Sequence, residues 1–325
     1  MTRVKVSDDL LEQSRKLNAL IEQALASVPP THTVDPKITR AQRIEGTGVM
    51  PKPIYLAECS NRTIRGPAAD ITLRTFVPPK VDGVYLHIHG GGWVLGAADQ
   101  QDQLLHALGT GANLVVLSVE YRLAPEHPFP AGPDDCEAAA CWLVENAKRE
   151  FGTECLLIGG ESAGAHLSAL TLLRLRDKHD AAKKFCGANL VFGAYDLGMT
   201  PSQRNWGERN LVLSTPIIQW FCDQFTPGWS AEQRRDPILS PLWADLHGMP
   251  PALFTVGELD PLLDDSLFMA ARWQAAGNRT ERQIYPESIH AFHAFPTGIA
   301  QMTIAAQLDF VKAAMQSGLE TRAAQ

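Results

Sequence analysis

The apolar positions of the chain follow two rhythms. Near the start, Leu10, Leu17, Ile21, Ala24 and Val28 recur at helical spacing, with Ser7 placed to cap the segment and Asp8 and Asp9 in its first turn. That pattern predicts a helix, which Pro29 and Pro30 stop. The stretch to about residue 53 is rich in Pro, Thr and Gly and reads as a connection outside any sheet. From about residue 70 the pattern changes to short apolar runs at 71–77, 84–88, 113–119, 155–159, 188–192, 252–256 and 282–285. Most are continuous rather than alternating, as strands buried on both faces are. Helical patterns around 134–147, 163–174 and 264–276 fall between them. Strand and helix in alternation predict an α/β fold, a mostly parallel sheet with helices on both faces.

Residues 193–250 break the rhythm, because no strand pattern appears over an interval much longer than an ordinary αβ connection. Inside it, Ser214 or Thr215 can cap a helix with Pro216 in its first turn. Ile217, Trp220, Phe221 and Phe225 share one face of that helix, and Trp206 and Trp229 lie nearby. We read the interval as a lid whose aromatics line a pocket, with Trp93, Trp206, Trp220 and Phe221 as its candidate lining. The plainer alternative is an insertion that only packs on the sheet.

Two motifs carry the chemistry. GESAG, residues 160–164, stands between a strand run and a helical segment. A serine in Gly-x-Ser-x-Gly fits a sharp strand-to-helix turn, where flanking side chains would strike the backbone. The helix then points free N–H groups at the reacting oxygen. Ser162 is therefore the candidate nucleophile, against the alternative of a glycine-rich turn with a buried serine. HGGGW, residues 89–93, follows the 84–88 run. Consecutive glycines let backbone N–H groups turn toward a ligand, which acyl transfer needs for the charge that develops on oxygen. Gly91, Gly92 and Ala163 are the candidate oxyanion donors.

A serine nucleophile needs a base, and the base an orienting acid. After the 252–256 run comes GELDPL, where Asp260 before Pro261 is held in the loop, while Asp264 and Asp265 suit the next helix start. After the 282–285 run comes PESIHAFHAF, in which His290 is the candidate base and His293 reads as already helical. His87 and His89 sit two apart on a strand, but no further ligand cluster accompanies them, so no metal is expected. His89 is assigned to holding the glycine loop by hydrogen bonding.

Composition narrows the class. The chain has 325 residues, 45% apolar and 20% charged, with a formal net charge of -7, which offers nucleic acid or an anionic membrane no attraction. The six cysteines form no CxxC pair or zinc spacing, and no segment reads as a signal peptide or membrane span. A reduced, cytoplasmic protein is the expectation.

Taken together, the chain resembles the hormone-sensitive-lipase-like group of α/β hydrolases, bacterial esterases with an HGGGW motif. The matching pieces are HGGGW, EYRLAPEHPFPA (120–131), GESAG, SPL with GMPPALF (240–254), DPLLD (260–264) and the IHAF around His290. The resemblance implies an eight-stranded sheet, a cap from N-terminal helices at 1–50 plus an insertion at about 197–235, and a catalytic domain over 51–325. It implies no cofactor, small short-acyl esters as substrates, the triad Ser162, Asp260 and His290, and a homodimer through a sheet edge. Where the family often has Asp or Thr beside the nucleophile, this chain has Glu161, and Ala165 replaces a usual glycine. Around the base it has Glu287, Ser288 and Ala291, which put polar and bulkier groups near the mouth. Two other readings use the same residues: an amidase or deacetylase, and a non-catalytic small-molecule receptor.

Overall fold

The computed structural model describes residues 3–323. Two helices come first, α1 (Asp8–Ala26) and α2 (Pro36–Glu45), followed by strands β1 (Ser60–Ile64), β2 (Ile71–Phe76) and β3 (Gly83–Ile88). The chain continues through α3 (Asp102–Ala112), β4 (Leu114–Val119), α4 (Ala131–Phe151), β5 (Leu156–Glu161), α5 (Ala163–His179) and β6 (Phe185–Val191). An insertion with α6 (Pro201–Asn205) and α7 (Thr215–Phe225) precedes β7 (Ala252–Leu259), α8 (Leu263–Ala275), β8 (Thr280–Ile289) and α9 (Gly298–Ala323).

The eight strands form one sheet in the order β1-β2-β4-β3-β5-β6-β7-β8, in which β2 alone runs antiparallel to its neighbours. Every residue of β3, β4 and β5 is buried, which accounts for their continuous apolar runs. Strand β3 pairs with β4 on one side and β5 on the other, so successive connections leave it in opposite directions. In an open α/β sheet the crevice beyond the carboxyl ends at such a reversal is where ligands bind. HGGGW follows β3 and GESAG follows β5 at that place, with Ile88 paired to Gly160.

Several expectations need correction. The first helix begins after Ser7, but the Ser7 side chain makes no cap hydrogen bond. Its inward face is Ser14, Asn18 and Ile21, while Ala24 and Val28 are exposed, because the helix lies along β8, where Asn18 Nδ2 donates to Glu287 O at 2.9 Å. The supposed connection contains α2. Asp35 caps it by accepting from Lys37 N at 2.8 Å, Pro36 opens it, and left-handed Gly46 closes it. These punctuation signals were in the sequence, but the helix has no buried face to give it an apolar period. Strand β1 is also absent from the apolar pattern, since only Ile64 of its five residues is buried.

The insertion helix α7 turns Ile217, Phe221 and Phe225 inward, while Trp220 is half-buried. Neither predicted cap acts as one: Ser214 makes no cap bond, and the Thr215 hydroxyl donates to Gln203 O at 2.6 Å. Asp265 does more than start α8. Its carboxyl is buried and accepts from Tyr195 N (2.6 Å), Asp196 N (2.9 Å), Thr200 Oγ1 (2.7 Å) and Gln203 Nε2 (2.5 Å), anchoring the start of the insertion to α8. Burial pushes its pKa up to about 7. Asp264 receives Ser202 N at 2.8 Å from the same segment.

Candidate active site

The turn between β5 and α5 leaves little space. A Cβ at Gly160 would sit 2.1 Å from Ile88 O, and one at Gly164 would sit 1.9 Å from the same oxygen. Only glycine lets this turn close against β3. Ser162 pays for it with a φ of 56° and ψ of -119°, a backbone region that non-glycine residues avoid. Although Ser162 precedes α5 as its N-cap residue, its hydroxyl caps nothing. It reaches the other way, 3.0 Å from His290 Nε2.

His290 lies beyond β8 and Asp260 beyond β7, adjacent strands in the sheet. Both side chains are buried, and His290 Nδ1 stands 2.8 Å from Asp260 Oδ2. The other oxygen, Oδ1, accepts Leu262 N at 2.8 Å, which fixes the carboxylate. An ionised Asp260 can only accept, so the ring proton resides on Nδ1 and Nε2 faces the serine hydroxyl as an acceptor. Ser162, His290 and Asp260 are thus brought into one chain of hydrogen bonds. His293 does not join it. It sits in a single short turn, Phe292–Ala294, and neither ring nitrogen has a hydrogen-bond partner among the described residues. The final helix begins only at Gly298.

The HGGGW turn faces the serine from β3. Gly91 and Gly92 have φ of 121° and 61°, and their N–H groups, with that of Ala163, have no acceptor among the described residues. The turn is braced from behind. His89 Nδ1 donates to Gly90 O at 2.9 Å, and its ring stacks on Tyr121 at 4.2 Å. Tyr121 in turn donates to His89 O at 2.9 Å. Burial drops the His89 pKa to about 4, so the ring is neutral. Trp93 is fixed by donating Nε1 to His166 Nδ1 at 3.0 Å and by stacking on Phe225 at 4.8 Å. Helix α7 presses on the same turn: a Cβ on Gly92 would meet the Phe221 ring at 2.3 Å.

These parts open into a cavity of about 620 Å³. Ser162, His290, Gly91, Gly92 and Ala163 line it, as do Trp93 and Phe221. Trp206 and Trp220 stand outside the lining. The Trp206 indole donates to Arg209 O at 2.6 Å, and Trp220 tilts against Phe221 at 5.0 Å. Of the residues around the base, Ala291 lines the cavity, but Glu287 and Ser288 do not. The positive φ of Glu287 (51°) accompanies a carboxylate turned to Arg15 Nε at 3.0 Å, so it ties down α1 instead of edging the mouth. Sequence reasoning missed Arg43, Met50, Lys52 and Ile54, which line the cavity from the segment read as a connection. The capping signals of α2 would have pointed to them.

Beside Ser162, Glu161 is buried and pairs with His87, whose Nε2 lies 3.0 and 3.1 Å from the two carboxylate oxygens. Burial alone would raise the Glu161 carboxyl, but its neighbours His87, His293 and Gln101 together hold it below the ordinary value. His87 Nδ1 is occupied by Ser118 Oγ at 2.9 Å. No group of three or more His, Cys, Asp or Glu residues able to hold a metal occurs among the described residues.

A strained serine at a strand-to-helix turn, a histidine and an aspartate on neighbouring loops, and a glycine turn across the crevice define a serine hydrolase on an α/β sheet. The profile of the alpha/beta hydrolase fold matches residues 85–294, and the chain belongs to that family, among its hormone-sensitive-lipase-like esterases. It is 36% identical over 236 residues to the carboxylesterase NlhH of Mycobacterium tuberculosis, covering 69% of this chain and 71% of that protein. It is 35% identical over 252 residues to the carboxylic ester hydrolase LipN of the same organism, covering 75% of this chain but 66% of LipN. A solved hyperthermophilic esterase from Pyrobaculum calidifontis superposes with a TM-score of 0.81 at 26% identity, over 95% of this chain and 99% of that one. No helix among the described residues is long and apolar enough to cross a membrane.

Proposed function

We propose that this esterase hydrolyses small, short-acyl carboxylic esters through an acyl-enzyme formed on Ser162. The observation that carries the reading is the hydrogen-bond chain from Asp260 through His290 to the Ser162 hydroxyl, facing a cavity. Ser162 Oγ attacks the ester carbonyl carbon as His290 Nε2 takes its proton, and Asp260 steadies the imidazolium. The N–H groups of Gly91, Gly92 and Ala163 receive the charge on the carbonyl oxygen. The intermediate collapses, the alcohol leaves with the proton from His290, and water repeats the sequence on the acyl-enzyme to release the acid. Each oxyanion donor contributes roughly 10²–10³ in turnover in such sites.

The cover over the serine is assigned to residues 1–50 and to the insertion at about 197–235, with the catalytic domain over 51–325. Supporting this are Arg43 and Met50 from the first segment, and Ile217 and Phe221 from the second, in the cavity lining. Glu22 of α1 and Arg209 of the insertion also join at 2.9 Å. A reduced, cytoplasmic setting accords with the unbridged thiols of Cys59, Cys136, Cys141 and Cys222. The family resemblance further suggests a homodimer through a sheet edge, which sedimentation would read directly. Acyl length is tested with p-nitrophenyl esters from acetate to palmitate. Acetate and butyrate should be cleaved fastest and palmitate slowest; a rising profile toward palmitate would overturn the short-acyl assignment.

A further inference from the structure

Helix α2 carries two arginines one turn apart in opposite surroundings. Arg40 is fully engaged. Its Nε donates to Val94 O at 2.8 Å, Nη1 and Nη2 hold the two oxygens of Glu126 at 2.9 and 2.8 Å, and Nη2 also reaches Ala124 O at 2.8 Å. It docks the helix. Arg43 instead lines the cavity, half-buried, with no ion pair or side-chain hydrogen bond among the described residues. Burial lowers its pKa to about 10, which leaves it a cation at neutral pH. Its charge is felt at the His89 ring and the Tyr121 hydroxyl, beneath the glycine turn.

Lys52 lines the same cavity. Its side chain packs over Gly46, the closing residue of α2, and its exposed ammonium has no acidic partner among the described residues. The one carboxylate in the lining, Glu161, is already paired with His87. A chain of net charge -7 thus gathers at its cavity two cations that have no counter-charge among the described residues. A partly desolvated guanidinium without a counter-charge is costly unless a ligand supplies one. A planar guanidinium fork also matches a carboxylate in two parallel hydrogen bonds.

We propose that the ester cleaved at Ser162 carries a carboxylate in addition to the scissile ester, held by Arg43 and Lys52. The proposal rests on the catalytic reading above. Two kinds of ester share this chemistry: half-esters of dicarboxylic acids, with the charge on the acyl side, and acyl derivatives of hydroxy acids, with the charge on the alcohol side.

The test compares kcat/KM for charged and neutral partners with the full chain. One arm sets the monoethyl esters of succinic, adipic and suberic acid against ethyl butyrate, hexanoate and octanoate. The other sets 6-acetoxyhexanoate against hexyl acetate. The wild-type chain should favour the anion by roughly tenfold or more in one arm, which identifies the side, and salt should erode the preference. Arg43→Gln should reduce the charged-to-neutral ratio by roughly tenfold, and Arg43→Lys should retain part of it. Lys52→Gln, at an exposed side chain, reads the same ratio with a smaller drop should the Arg43 variants fold poorly. Equal rates for charged and neutral esters in both arms, or a preference that survives both Gln substitutions, overturns the proposal. Fluorophosphonate labelling of Ser162 separates the two layers. A labelled chain that cleaves neutral esters and ignores charge refutes only the carboxylate; an unlabelled, inactive chain refutes the catalytic reading with it.

Discussion

Two buried histidine–carboxylate pairs flank Ser162, His290 with Asp260 and His87 with Glu161, and their ring-to-carboxylate distances are alike at 2.8 and 3.0 Å. Glu161 is the chain neighbour of Ser162, whereas Asp260 and His290 come from distant loops. Yet the distant pair reaches the serine. In the first pair one ring nitrogen is tied to the carboxylate and the other faces Ser162 Oγ. In the second, the remaining nitrogen is closed off by Ser118 inside the sheet. Glu161 ends β5 and turns its carboxylate to His87 of β3, while Ser162 begins the turn and points its hydroxyl to His290. On the proposed reading, what sets the His290–Asp260 pair apart from the His87–Glu161 pair is the direction of the free nitrogen, not the length of the pairing.

The comparison can be broken most forcefully at the nucleophile. Ser162→Ala should lower turnover by roughly six orders of magnitude while the protein stays folded, and adding His290→Ala should cost little more, because the parts act as a unit. Retained p-nitrophenyl butyrate hydrolysis in a clean preparation would sink the assignment. Next comes Asp260→Asn, which keeps the shape but spoils the imidazole proton arrangement; kcat should fall by roughly 10⁴. The parallel change in the bracing pair, Glu161→Gln, should behave differently. We expect a stability loss of about 2 kcal/mol in denaturant unfolding, with kcat of the folded protein within about tenfold of wild type. A fall in kcat like that of Asp260→Asn would show that both pairs serve the chemistry.

The last effect leaves the reacting groups and concerns a buried histidine held by Trp93 and Leu239. His166 accepts from Trp93 Nε1 and donates Nε2–H to Leu239 O at 2.6 Å, and burial lowers its pKa from 6.5 to about 4. Below pH 6.5 the unfolded chain takes up a proton that the folded chain refuses. The stability His166 contributes is therefore complete above pH 6.5 and lost as pH falls toward about 4, at no more than about 1.4 kcal/mol per pH unit. Against His166→Gln, the wild-type advantage in chemical denaturation should narrow between pH 7 and pH 4.5. An unchanged gap would mean that the ring is not held neutral by burial.

Legibility in the sequence tracked burial and backbone geometry. Strands β3 to β5 announced themselves because all their residues are buried, and α5 because its small residues pack closely on the sheet. GESAG and HGGGW were readable because a tight turn admits few residue types. Helix α2 and strand β1 were not, since neither has a periodic buried face. The aromatic residues of the insertion were visible as a set, but their sorting was not: Phe221 faces the cavity, while Trp206 and Trp220 fall outside its lining. A helical wheel gives an apolar face without saying which neighbour it meets.

By itself the sequence determined the α/β alternation, the strained serine turn and the order of the reacting groups, because each depends on local sterics or on one-dimensional periodicity. Only the tertiary structure decided which histidine nitrogen meets the serine and which carboxylate braces the sheet. It also decided that Arg43 has no ion pair among the described residues while Arg40, one turn away, is bound at Glu126. Those outcomes depend on where segments far apart in the chain come to rest, and no local pattern encodes the direction in which a side chain finds its partner.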